Sequence, residues 1–68
     1  MTLQAIRKDT IEQARAHAIE QSKNHPERFY YVKFHTGGQY LVDFIGIVYS
    51  NENLVETYKN GFLENVVK

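Results

Sequence analysis

The chain contains no cysteine, which excludes disulfide staples and thiolate zinc sites as supplements to its core. The same absence accords with a reducing compartment. Charge of one sign is also lacking: eight Lys and Arg balance eight Asp and Glu, for a formal charge of zero with histidine neutral. Proteins that hold nucleic acid chiefly by neutralising phosphates present a basic patch or stripe. Here Arg7, Lys8, Arg15, Lys23, Arg28, Lys33, Lys59 and Lys68 are scattered among acids. Neutrality removes one brake on self-association. Long hydrophobic runs are missing as well. "MTLQAIRKDT" has no signal-peptide core, and an uncharged stretch such as "FIGIVYSN" is far too short to cross a bilayer. The composition reads as a cytoplasmic protein with no membrane partner.

What is present is a short chain with concentrated aromatic rings. At 68 residues there is room for a single domain spanning 1–68, and a domain of that size buries only about 60% of the surface its unfolded chain exposes. Seven of the nine rings fall within "FYYVKFHTGGQYLVDFIGIVY", residues 29–49. Large side chains are an efficient way to build a small core, and this accounts for most of them.

The segment "TIEQARAHAIEQSK" predicts a helix over about 10–23. It is rich in Ala, Glu and Gln, and two capping pairs precede it, Asp9 with Glu12 and Thr10 with Gln13. Ile11, Ala14, Ala18 and Ile19 share one face, and the alanines make that face narrow enough to lie close on a sheet. Pro26 stops the helix. Upstream, "TLQAIR" is read as either a short edge strand or an extra helical turn.

The aromatic run predicts a hairpin with strands at about 28–35 and 39–48 joined by Thr36-Gly37-Gly38. Gly38 takes the left-handed position of a type I turn with a G1 bulge. This register pairs His35 with Gln39, Phe34 with Tyr40, Val32 with Val42 and Tyr30 with Phe44. A two-residue turn would set Asp43 on an apolar face instead. Tyr30, Val32, Phe34, Tyr40, Val42, Phe44 and Val48 then form the core face, with Gly46 admitting the helix. Further on, Asn60-Gly61 predicts a type I′ hairpin with Leu54, Glu56 and Tyr58 sharing a face with Leu63, Asn65 and Val67. The alternative is a short helix capped by Asn53 and Gly61. The fold class is therefore α+β: one N-terminal helix packed on a small antiparallel sheet centred on a hairpin.

Chemistry is sparse. His17, His25 and His35 show no convergent metal spacing and there is no HExxH. Ser22 and Ser50 sit in no nucleophile motif, and Thr36-Gly37-Gly38 lacks the strand-loop-helix setting of a phosphate loop. No catalytic residue, metal or cofactor is expected. The second hairpin face carries Phe29, Tyr31, Lys33, Leu41, Asp43, Ile45, Ile47 and Tyr49, too apolar for solvent and polar in its middle, where Lys33 and Asp43 form a diagonal pair. These eight are the candidate protein interface, since aromatic anchors and an orienting charge pair are typical of interface centres. The expected function is a small non-catalytic protein-binding protein, regulatory or inhibitory, meeting a foreign partner or a second copy. A single-stranded nucleic-acid module, with rings stacking bases beside Lys33, Arg28 and Lys59, ranks second, and a homo-oligomeric structural protein third. In kind only, with no aligned motif, the chain is similar to accessory and inhibitory proteins of phage and other mobile elements.

Overall fold

The computed structural model describes residues 6–66. Their order is β1 (Ile6–Lys8), α1 (Ile11–Asn24), β2 (Phe29–His35), β3 (Gln39–Asp43), β4 (Glu52–Lys59) and β5 (Phe62–Val66). The strands form one sheet in the order β1-β3-β2-β4-β5, every neighbouring pair antiparallel, and the single helix packs on one face. This is the expected α+β architecture. No helix among the described residues is long and apolar enough to cross a membrane.

Helix α1 starts as its capping residues dictate. The Thr10 hydroxyl accepts the Gln13 N–H at 3.2 Å, and the Gln13 side chain accepts from the Asp9 N–H at 3.3 Å. Ala14, Ala18 and Ser22 are fully buried at helical spacing. Ile11 and Ile19 flank them and pack on Tyr30, Val32, Val42 and Tyr58 of the sheet. Ser22 also closes the far hairpin: its hydroxyl donates to the Ile19 carbonyl and accepts from the Gly61 N–H at 2.8 Å.

The first hairpin has the register that its glycines set. His35 pairs with Gln39, Phe34 with Tyr40 and Val32 with Val42, Gly38 has φ +94°, and its N–H donates to the His35 carbonyl. The strand after the turn is shorter than expected, however, ending at Asp43. The Asp43 carboxylate accepts the N–H of Ile45 two residues on, which turns the chain out of the ladder. Phe44 and Val48 are therefore not core residues but 37% and 43% exposed, and Phe34 is half-buried. Gly46 does not meet the helix. It lies against the Tyr31 hydroxyl on the opposite face, where a Cβ would come within 3.3 Å.

The second hairpin has the I′ turn, with φ +51° at Asn60 and +82° at Gly61, but two bulges change its faces. Val32 pairs with Glu56 and Lys33 with Leu54, so Val55 is the extra residue and Leu54 lies on the face opposite Glu56. Thr57 pairs with Asn65 and Tyr58 with Leu63, so Glu64 is the extra residue on β5. Val67, and residues 2–5 of the upstream segment, lie outside the described residues.

The topology decides where the remaining chain goes. β1 and β2 are both antiparallel to β3, hence parallel to each other, and α1 joins them across β3. Likewise β3 and β4 are both antiparallel to β2, and residues 44–51 join them across β2. Both connections step the same way along the sheet, but their strands point in opposite directions. Parallel crossovers share one hand, so the two connections must lie on opposite faces. The helix covers one side of the sheet and residues 44–51 cover the other.

Candidate protein-binding face

Lys33 organises the side away from the helix. It is 1% exposed, and its ammonium lies 3.1 Å from the Asp43 carboxylate, 3.0 Å from the Ile45 carbonyl and 2.6 Å from the Ile47 carbonyl. A lysine has three donors, and all three are used. The connection is fastened at its other end by Asn51, whose carbonyl accepts from the Thr36 N–H and whose amide meets the His35 ring at 2.9 Å. A turn from Tyr49 to Glu52 then leads into β4.

The eight candidate residues therefore divide by exposure. Lys33 and Leu41 are buried and Tyr31, Asp43 and Ile45 half-buried; of these, Lys33 and Asp43 bond to the backbone of the connection and Tyr31 lies against its Gly46. Phe29, Ile47 and Tyr49 are 41%, 54% and 60% exposed. The structure brings Lys33 and Asp43 into direct contact and carries Ile47 and Tyr49 across the face on residues 44–51.

Two residues that the sequence reading did not place in this site join the open part. Lys59 pairs with Phe29 on one side and Phe62 on the other, making a Phe-Lys-Phe row across β2, β4 and β5. Its ammonium stands 4.6 Å from the centre of the Phe29 ring, and Phe62 is 70% exposed. The signal was available: a two-residue Asn-Gly turn necessarily sets Lys59 opposite Phe62. Nearby, the Arg28 guanidinium lies 4.2 Å over the Phe44 ring, which also tilts against Tyr30.

On the helix side, Arg15 donates two 2.9 Å hydrogen bonds to Glu56, and Tyr58 donates a third to the same carboxylate. The Arg15 guanidinium holds the Glu56 carboxyl below the usual carboxylate range, and burial, then the bond to Glu56, pushes the Tyr58 phenol up to about 12. This cluster fastens α1 to β4. His17 lines an open depression with Lys8, Gln13, Ala16 and Glu20, and burial, followed by Lys8, lowers its pKa. Among the described residues no three His, Cys, Asp or Glu side chains gather as a metal site would require.

No family model, curated protein or solved structure matches the chain.

Proposed function

We propose that this is a small non-catalytic protein-binding protein, regulatory or inhibitory in kind, whose contact surface is the side of the sheet away from the helix. One observation carries the reading: large apolar side chains stand exposed there in two groups, Phe29 with Phe62, and Ile47 with Val48 and Tyr49. Both groups rest on rigid supports, the first on paired strands and the second on a connection held by the buried Lys33. Such preorganised anchors lose little freedom on binding. A cytoplasmic setting belongs to the same proposal.

A second reading draws on the Phe29-Lys59-Phe62 row, in which rings and a cation alternate as they do on sheets that stack single-stranded bases. Its weakness is charge. Lys33 is consumed internally, and Arg28 already faces Glu27 at 3.7 Å. The experiment is a pull-down from native-host lysate comparing the wild type with Phe29→Asp and Tyr49→Asp, each first shown to be folded. The reading expects a specific protein that both variants lose. Recovery unchanged by either substitution refutes it, and ring-dependent recovery of RNA or DNA favours the second reading.

A further inference from the structure

The turn that joins β4 to β5 holds the one asparagine of the chain that precedes a glycine. Asparagine is thermolabile, because the backbone nitrogen that follows it can attack its side-chain carbonyl, and a side chain on the next residue hinders that attack. Asn24, Asn51, Asn53 and Asn65 are followed by His25, Glu52, Leu54 and Val66, and Asn60 by Gly61. The fold demands this pair. With φ +51° at residue 60 and +82° at residue 61, the turn is an I′ turn, which favours Asn-Gly. A Cβ on Gly61 would also come within 2.7 Å of the Lys23 stem. Asn60 is exposed, so water reaches it.

Two features hold the reacting atoms apart. The Gly61 N–H donates to the Ser22 hydroxyl at 2.8 Å, and Ser22 is fully buried and fixed by its own bond to the Ile19 carbonyl. Attack on Asn60 must take the proton from this nitrogen and pull it away from Ser22. The turn is the second bar: in I′ geometry the Gly61 nitrogen is rotated far from the Asn60 Cβ, which it must nearly eclipse for a five-membered ring to close.

We propose that Asn60 is a spontaneous deamidation site guarded by Ser22, and that its modification breaks up part of the sheet face away from the helix. When the turn opens locally, the Gly61 nitrogen loses its proton and bonds to the Asn60 Cγ, and the side-chain nitrogen takes up a proton and leaves as ammonia. Water then opens the resulting succinimide. Cleavage between the ring nitrogen and Cγ gives aspartate, and cleavage between that nitrogen and the backbone carbonyl carbon gives isoaspartate. Isoaspartate routes the chain through its side chain and so adds a methylene to the backbone of a two-residue turn. The turn sets the hairpin register, so Phe62 is displaced from Lys59 and the Phe29-Lys59-Phe62 row is broken. The chemistry at residue 60 is independent of what the face binds.

The full chain is held at mildly alkaline pH, folded or in guanidinium chloride, and peptide mass spectrometry with enzymatic isoaspartate methylation follows each asparagine. In denaturant Asn60 should deamidate ahead of the other asparagines, and in the folded chain about tenfold or more slowly than in denaturant. Ser22→Ala suits a helix face already built on Ala14 and Ala18, and should speed the folded reaction about two- to tenfold, the worth of one hydrogen bond. Gly38→Val weakens the other hairpin and should leave the Asn60 rate within about twofold of wild type, which separates a local guard from overall stability. In the isolated isoaspartate form, nuclear Overhauser contacts between Lys59 and Phe62 should be lost. Equal rates in the folded chain and in denaturant overturn the proposal. So do a folded Ser22→Ala variant no faster than wild type, a Gly38→Val variant as fast as Ser22→Ala, or an isoaspartate form that keeps the Lys59–Phe62 contacts.

Discussion

Replacing Lys33 by Met removes one ammonium and changes little else, because the two side chains have similar length and Lys33 is already 1% exposed. Three acceptors lose their donor: the Asp43 carboxylate, whose side chain is 11% exposed, and the carbonyls of Ile45 and Ile47. Removing one partner of a buried ion pair costs about 3–5 kcal/mol. Two stranded carbonyls would add about 1–3 kcal/mol each if they stayed dry. They need not stay dry, since residues 44–51 can lift and hydrate them, which keeps the total near the about 3–5 kcal/mol of the broken pair alone. A domain of this length has roughly 3–10 kcal/mol of stability, so the variant should be marginal. Urea unfolding followed by far-UV circular dichroism measures the loss. Amide exchange locates it: Ile45, Tyr49 and Glu52, whose N–H groups are bonded within the connection, should exchange faster than the helix amides. A loss below about 1 kcal/mol, with exchange at these amides unchanged, would refute the view that Lys33 fastens the connection.

Gly38→Val should cost about 1–2 kcal/mol in a urea titration, because φ is +94° and nothing crowds the site, leaving backbone strain as the whole effect. Phe44→Ala should lose about 1–2 kcal/mol, well short of the about 3–5 typical of a buried phenylalanine, because the ring, which meets Arg28 and Tyr30, is 37% exposed. Glu56→Gln should cost about 1–3 kcal/mol at neutral pH. The folded carboxyl is held down, so its contribution is present above its ordinary value of 4.5 and disappears as pH falls through the folded value. Thermal melts should show a shallower acid limb in the glutamine variant. For Tyr58 the sign reverses: the raised phenol stabilises the fold fully below 10.0, and that contribution fades up to about 12, which Tyr58→Phe should remove from the alkaline limb.

The parts of the fold that were legible in the sequence are those fixed by local backbone chemistry. Thr10 and Gln13 mark the helix start, Gly38 sets the first hairpin register, and Asn60-Gly61 sets the second. What escaped depended on tertiary contacts. "FIGIV" has strand-forming side chains, yet Asp43 and Lys33 draw its backbone out of the ladder, a case of context overriding β-propensity. The bulges at Val55 and Glu64 carry no glycine or other local mark, so neither register shift was foreseen, and the one at Val55 puts Leu54 on the face opposite Glu56. Arg15 lies off the helix face formed by Ile11, Ala14 and Ala18 and is 45% exposed in its side chain, but its head reaches Glu56 on β4. The Lys33–Asp43 pair was readable because a three-residue turn sets the two diagonally. Its burial was not, because that required knowing that residues 44–51 cross the face.

The central claim is that the side of the sheet away from the helix meets a protein partner, and site-specific photo-crosslinking tests it most directly. A photoreactive phenylalanine analogue is placed at Tyr49 or Phe62, both exposed on that side, or at Glu20, exposed on the outer surface of α1. Each full-length variant is irradiated in native-host cells. The account predicts one protein adduct from positions 49 and 62 and none from position 20. Equal crosslinking from all three positions, or adducts to nucleic acid alone from 49 and 62, would contradict it.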